Sequence, residues 1–273
     1  MNKRYPITYE LVPPRGINTK SIDTIIPISH LLEAITVTDN PIGNLRVSAM
    51  AYANVASSKI NTPIIPNVSC RDRNILAIQS DVLGACLQGR KSVYVISGDI
   101  TKDHTNFKGV WEVNSIELCK ILKKLSIDNN LDLSIGGAII FGRPSELETY
   151  SKKIIAGFDY FITQIIYEQV YVENFYAEAE DNGTPINKHI QLGLSPAGTL
   201  KKFHNISQMT GIYVPIQVKE RLENTNDYQG EMLSILLELV DDLKSNLSGY
   251  SIGFHVMPIG SDELAIKLVE ELK

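Results

Sequence analysis

Eight short apolar, β-rich runs, each followed by an amphipathic segment, recur along the chain from residue 6 onward. The runs fall at 6–12, 34–38, 62–68, 92–97, 133–140, 160–166, 188–194 and 250–257. Helical spacing is expected between them at 20–30, 45–59, 74–88, 115–125, 145–157, 170–181, 198–209 and 229–246, with a last helix at 262–272. The stretch "NILAIQSDVLGACLQG" shows the logic. Ile75, Ile78, Val82 and Cys86 repeat at helical intervals, Gly89 stands where a helix would end, and Asp72 or Asn74 can cap its start. Strands alternating with helices require a parallel sheet with right-handed crossovers. Eight such units without a linker or low-complexity break fit a single-domain α/β fold over 1–273, a (β/α)8 TIM barrel, better than a doubly wound sheet. The polar "ENTNDYQG", 223–230, is read as an insertion loop within that barrel.

Composition narrows the function classes. A chain of 273 residues, 44% hydrophobic, can fill one large barrel. A net charge of −5 argues against a nucleic-acid or anionic-membrane partner. No apolar run approaches the ~20 residues that span a bilayer. The basic start "MNKRYPITYE" has no apolar stretch behind it, so no signal peptide is expected. Cys70, Cys86 and Cys119 are odd in number and far apart, which excludes a disulfide framework and a C-x-x-C motif. The five histidines lack H-x-x-x-H spacing. A cytoplasmic protein with a metal-free site is the expectation. There is no Walker loop and no G-x-G-x-x-G. "GLSPAG", 193–198, resembles a nucleophile elbow, but Ala197 stands where the second glycine is needed, and Ser195 reads as a turn residue.

Active sites in this fold lie at the C-terminal ends of the strands, and the polar residues collect there. "TYELVPPRG" places Glu10 among Tyr9, Leu11 and Val12, and Thr8, Glu10 and Val12 share one strand face. If that face points inward, Glu10 lies high in the barrel. A carboxylate there is costly unless it is paired, wet or functional. Strand two ends in Thr38, Asp39 and Asn40. Strand three ends in Asn67, Ser69 and the turn Arg71-Asp72-Arg73, read as a solvated cap with an inter-loop salt bridge. Strand four ends in Gly98 and Asp99, and strand six carries Thr163 and Gln164 in an apolar run. Glu10, Asp99 and Gln164 therefore meet at one rim.

The segments "YELVPPRG", "VTDNPIGN", "SCRDRNILAIQSDVLGA", "ISGD", "AGFDYFITQ" and "GLSPAGTLKKFHNISQMTG" together resemble methylenetetrahydrofolate reductase, the flavin-dependent barrel family of one-carbon metabolism. The resemblance runs in order along nearly the whole chain and looks like the short catalytic barrel without a regulatory domain. It implies reduction of 5,10-methylenetetrahydrofolate, or of a methanopterin-like methylene carrier, to the 5-methyl form. It further implies Glu10 as the acid that opens the imidazolidine ring, Asp99 as the carboxylate that stabilises positive charge, and Gln164 as the pterin contact. Thr38, Asp39, Asn67, Ser97, Gly98, Asp99, Ser115 and Lys153 fall at flavin-contacting positions, Lys153 suiting a phosphate. Burial would raise the acid's pKa, and an ionised Asp99 would favour the cationic iminium.

The sequence also departs from the family. "IIFGRPSELETYSKK", 139–153, is short and has Arg143-Pro144 in place of His-Pro-Glu, which leaves FMN open beside FAD. Asn67 replaces a histidine, Lys202 stands where a substrate-binding Gln is found, Ile206 replaces a stacking aromatic, and Ser261 replaces a substrate-binding arginine. The electron donor, NAD(P)H or another, is left open. The expected partner is a small-molecule pterin, with a homo-oligomer or an electron-donor protein as further options. Two other readings stand beside the reductase: a non-catalytic pterin- or flavin-binding subunit of a larger complex, and a flavin-free pterin barrel of the dihydropteroate synthase or methyltransferase type.

Overall fold

The computed structural model describes residues 5–99 and 107–273. Among these, eight parallel strands close into a barrel in sequence order: β1 (Ile7–Leu11), β2 (Ala34–Val37), β3 (Ile64–Ser69), β4 (Ser92–Ile96), β5 (Ser134–Ile139), β6 (Tyr160–Ile165), β7 (His189–Leu194) and β8 (Ile252–Val256). The helices α1 (Lys20–Ile25), α2 (Ala49–Ser57), α3 (Ile75–Leu87), α4 (Ser115–Asp128), α5 (Glu146–Ala156), α6 (Val170–Asp181), α7 (Leu200–Ser207), α8 (Ile216–Asn224), α9 (Tyr228–Asn246) and α10 (Asp262–Glu271) follow the strands. This is the expected (β/α)8 barrel. No described helix is long and apolar enough to cross a membrane.

Local chemistry sets the element ends. Asn74, not Asp72, caps α3, its side chain accepting from the Ala77 N–H at 2.8 Å. Asn114 and Glu117 form a reciprocal capping box at the start of α4. The helix expected over 20–30 is cut short: Pro27 lacks an N–H, and the chain after α1 tightens into a 3-10 turn over Ile26–Leu31. The insertion loop expected at 223–230 is corrected. Its first residues end α8, Asp227 caps the Gly230 N–H at 3.0 Å, and Tyr228 to Gly230 already belong to α9. Helix α8 buries only Leu222, so its sequence carries almost no apolar stripe. It is fastened instead by Arg221, which bonds Glu231 and Glu238 of α9, each at 2.6 Å.

Strand alternation decides what faces the barrel interior. On β1 Thr8 and Glu10 point inward, and Thr8 meets the His255 ring of β8 at 2.7 Å. Tyr9, between them, faces outward toward Asp262 of α10. Between β6 and β7 the register slips from Ile162 to Ile165, and Thr163 Oγ1 takes the Gly193 N–H at 2.8 Å. Such a bulge re-aims side chains, and here Ile162, Thr163 and Gln164 all reach the interior.

The turn Arg71-Asp72-Arg73 is not a solvated cap. Arg71 is 1% exposed and ties three loops together. Its Nε and Nη2 donate to Asp72 at 2.6 and 2.8 Å, Nη2 also to the Asn40 carbonyl at 2.9 Å, and Nη1 to the Asp99 carbonyl at 3.2 Å. Against the opposing pull of burial, Arg71 holds the Asp72 carboxyl below the usual carboxylate range. The inter-loop ion pair of the sequence reading is present, but it is made by Arg73, which bridges Asp39 and Asp81. Arg71→Met strips the loops after β2, β3 and β4 of their shared donor. It should lower unfolding free energy by about 3 kcal/mol or more, the scale for breaking a buried ion pair, in urea titrations followed by circular dichroism.

Candidate functional site

The C-terminal ends of the strands enclose a cavity of about 490 Å³, within the range of small-molecule sites. Glu10, Thr38, Asp39, Asn67, Ser97, Gly98, Asp99, Ser115, Lys153 and Gln164 all line it. The structure therefore brings together every site residue read from the sequence except Lys202. Lys202, on α7, instead bonds the Gly260 carbonyl in the loop after β8.

Glu10 sits beside Thr36 in the strand register, on the cavity wall. Burial first, and then the Asp99 carboxylate, push its pKa up from the usual 4.5 to about 7. No hydrogen bond or ion pair from the described protein groups offsets that cost. Asp99 follows Gly98, whose φ of +89° suits glycine. A Cβ at Gly98 would lie 2.4 Å from Ser69 Oγ and 2.7 Å from Arg71 Cβ, so the strand end can pass Arg71 only without a side chain. One oxygen of Asp99, Oδ2, accepts the Ile42 N–H at 2.6 Å. Ile42 itself has a φ of +56°, costly for a β-branched residue.

The other acidic group, Asp39, is occupied differently. Its Oδ2 accepts the Ser69 N–H at 3.0 Å and a donor from Arg73. Burial pushes the carboxyl up while Arg73 pulls it down, with a net rise. On the facing side, burial lowers the Lys153 ammonium to about 8, partly offset by nearby Glu146. Lys153 donates to the Ala138 carbonyl, and Arg143 pairs with Glu146 above it. Ser97 and Ser115 join β4 to the start of α4 through their hydroxyls at 3.3 Å. Gln164 spends its amide on near neighbours: Oε1 accepts the Ile165 N–H at 3.0 Å, and Nε2 reaches the Thr210 carbonyl at 3.5 Å.

Several further lining residues escaped the sequence reading, three of them polar side chains on the strands themselves. Thr36, Tyr94 and His255 face the cavity on β2, β4 and β8. Burial drops His255 to about 3, so its ring is neutral. Period-two alternation along "IGFHV" would have placed it inside once the barrel was assumed. Ser195 is a buried tie, its Oγ donating to the Met257 carbonyl at 2.9 Å, and has no nucleophile geometry.

The lining can be tested against the flavin that the resemblance implies. Thr36 Oγ1, Thr38 Oγ1 and Asn67 Oδ1 are buried cavity atoms without a protein hydrogen-bond partner. Buried polar atoms are normally satisfied, so these three call for a ligand or water with polar edges. With Gly98 bare on one side and the Lys153 and Arg143 cations on another, the donor and acceptor set fits a flat heteroaromatic group bearing a phosphate.

Comparisons with known proteins agree with this geometry. The sequence matches the family described as methylenetetrahydrofolate reductase over residues 1–273. Among solved structures, the chain is similar to an uncharacterized protein from Clostridium thermocellum that binds two copies of 5-methyl-5,6,7,8-tetrahydrofolic acid. The two share 20% identity with a TM-score of 0.70, over 99% of this chain and 96% of that one. More distant likeness reaches 2,3-dimethylmalate lyase (11% identity, TM-score 0.54, 98% of this chain and 78% of that one). It extends to oxaloacetate acetylhydrolase (12%, 0.53, 96% and 80%). At these identities the structural matches speak for the barrel alone.

A raised carboxyl pKa has a thermodynamic signature. Because the folded state holds the Glu10 proton up to about pH 7 and the unfolded chain only to 4.5, stability falls as pH rises through that window. Glu10→Gln removes the loss. At pH 8 the variant should be more stable than the parent by about 2–3 kcal/mol, with the advantage gone at pH 4.5, in denaturant titrations at the two pH values.

Proposed function

Because the chain belongs to the methylenetetrahydrofolate reductase family, we propose that it reduces a methylene-bridged tetrahydropterin to the 5-methyl carrier in the barrel-mouth cavity. The substrate is 5,10-methylenetetrahydrofolate or a methanopterin-like analogue. The observation that carries this reading is Glu10, a carboxyl kept protonated near neutral pH beside a second carboxylate, Asp99. Opening the five-membered ring needs a proton at the weakly basic nitrogen that leaves the bridging carbon. An acid with a pKa near the working pH serves best. As the carbon–nitrogen bond breaks, the carbon becomes part of a cationic iminium, and Asp99 on the cavity wall lowers the energy of that charge. The two carboxyls thus take different tasks because their surroundings differ.

In this reading Thr38, Asn67, Ser97, Gly98 and Ser115 hold a flavin, with Asp39 and Asp99 in the wall beside it and Lys153 at a phosphate. A bound reduced flavin, FAD or FMN, would supply the hydride that the iminium carbon accepts. Gln164 turns from its Thr210 contact to the pterin edge, and Lys202 reaches the carrier's acidic tail at the rim. The folate carried by the Clostridium thermocellum protein is the 5-methyl product of this reaction, which supports the assignment. A non-catalytic binding subunit would not need an uncompensated acid at the cavity wall, and a flavin-free pterin barrel would take up no flavin.

The decisive variant is Glu10→Gln, which keeps volume and loses the transferable proton. Flavin uptake, followed by absorbance, should survive, as should reduction of the bound flavin by dithionite. Reoxidation by the methylene carrier should slow by about 10²–10⁴-fold in stopped-flow traces. Slowing of neither step, or of both equally, would refute the role of Glu10. A protein that takes up neither FAD nor FMN on titration would refute the reductase reading itself.

A further inference from the structure

A general acid ends its step as an anion, so the wall around Glu10 must also accommodate the charge that remains. The charged groups nearby do little for it. Asp99, at the end of β4, repels a Glu10 carboxylate. Tyr9 and Tyr94 are neutral, since burial holds both hydroxyls above their usual pKa, and the buried His255 ring is neutral too. Asp39 is tied to Arg73, while Lys153 and Arg143 are engaged by the Ala138 carbonyl and Glu146.

Hydroxyls beside Glu10 come from Thr8, Tyr94 and Thr36. Thr8 is bonded to the His255 ring at 2.7 Å. The Tyr94 hydroxyl donates to the Ile162 carbonyl at 3.3 Å. Thr36 differs. It is 2% exposed, it lines the cavity, and its Oγ1 has no hydrogen-bond partner among the described protein groups. Buried hydroxyls are ordinarily satisfied, and the fold does not satisfy this one.

Strand register sets where that hydroxyl stands. Thr36 on β2 is the direct partner of Glu10 on β1. The two side chains therefore leave neighbouring strands, about 4.8 Å apart, on the same face. Branching at Cβ restricts Thr36 to few rotamers, while the hydroxyl hydrogen still turns freely. Thr38, the other unpartnered hydroxyl of this strand edge, lies two residues nearer the mouth and outside the Glu10 pair.

We propose that Thr36 is a positioning residue for the Glu10 proton transfer: its hydroxyl turns to donate to the Glu10 carboxylate, directly or through one water, as the proton leaves for the pterin nitrogen. A hydroxyl bonds a neutral acid weakly and an anion strongly, so the interaction grows toward the transition state. The inference rests on the reductase reading above and names the residue that stabilises the acid's conjugate base.

Thr36→Val keeps the shape and removes the hydroxyl, whereas Thr36→Ser keeps the hydroxyl. Two measurements compare them with the parent. One is an infrared titration of the Glu10 carboxyl in protein without flavin. The other is stopped-flow reoxidation of dithionite-reduced, flavin-loaded protein by 5,10-methylenetetrahydrofolate across pH. In Thr36→Val the protonated Glu10 band should persist about one pH unit higher, because the anion has lost a donor. The reoxidation rate below that midpoint should fall about tenfold, with flavin affinity and dithionite reduction unchanged. Thr36→Ser should restore both toward the parent. A midpoint or a rate that stays at the parent value in Thr36→Val would overturn the inference and leave the reductase reading intact. So would a serine variant that behaves like valine, or weaker flavin binding in Thr36→Val, since the hydroxyl would then belong to the flavin. A parent protein that takes up neither FAD nor FMN would overturn the reductase reading, and this inference with it.

Discussion

The arrangement of the site depends on one buried guanidinium. Arg71 reaches Asn40 after β2, Asp72 after β3 and Asp99 after β4, and no other described side chain joins these three loops. A planar fork of five donors can serve several acceptors at once, which a lysine cannot. The constraint spreads outward. Gly98 must lack a side chain because Arg71 and Ser69 fill the space beside it. With its carbonyl held by Arg71 and one carboxylate oxygen by the Ile42 N–H, Asp99 has a fixed position on the cavity wall. The effect on Glu10 is electrostatic: a fixed carboxylate adds to burial in keeping the Glu10 proton in place.

Charge at the mouth is thus divided by surroundings and not by residue type. Asp39 and Asp72 are compensated by arginines, whereas Glu10 is left uncompensated and is neutralised by a proton. Lys153 shows the same physics with the opposite sign, burial moving the ammonium toward its neutral form. Arginines hold the loops through Asp39 and Asp72, while Glu10 faces the cavity with no counter-charge. A cost in stability at the Glu10 position is the expected companion of a functional acid.

Much of this was legible in the chain. Eight β-rich runs separated by helical spacing implied the barrel, and each observed strand lies within about two residues of its run. Helix α8 was hidden because polar contacts from Arg221 stand in for an apolar stripe. Glu10 and Gln164 were legible because a polar residue in an apolar strand is conspicuous. His255 has the same character but sits in "IGFHV" without a turn signal beside it. Arg71 was misread because three charged residues in a turn ordinarily face water. Its burial depends on carbonyls from β2 and β4 loops that are distant in sequence.

The central claim is that Glu10 holds its proton up to about pH 7 because of where the barrel places it, and infrared difference spectroscopy reads that proton directly. A titration of the parent protein against Glu10→Gln should show a protonated-carboxyl stretch that disappears around pH 7 and is missing from the variant. In Asp99→Asn the same band should disappear at lower pH, because one of the two causes of the shift is gone. A Glu10 band that vanishes near pH 4.5 in the parent protein would contradict the account.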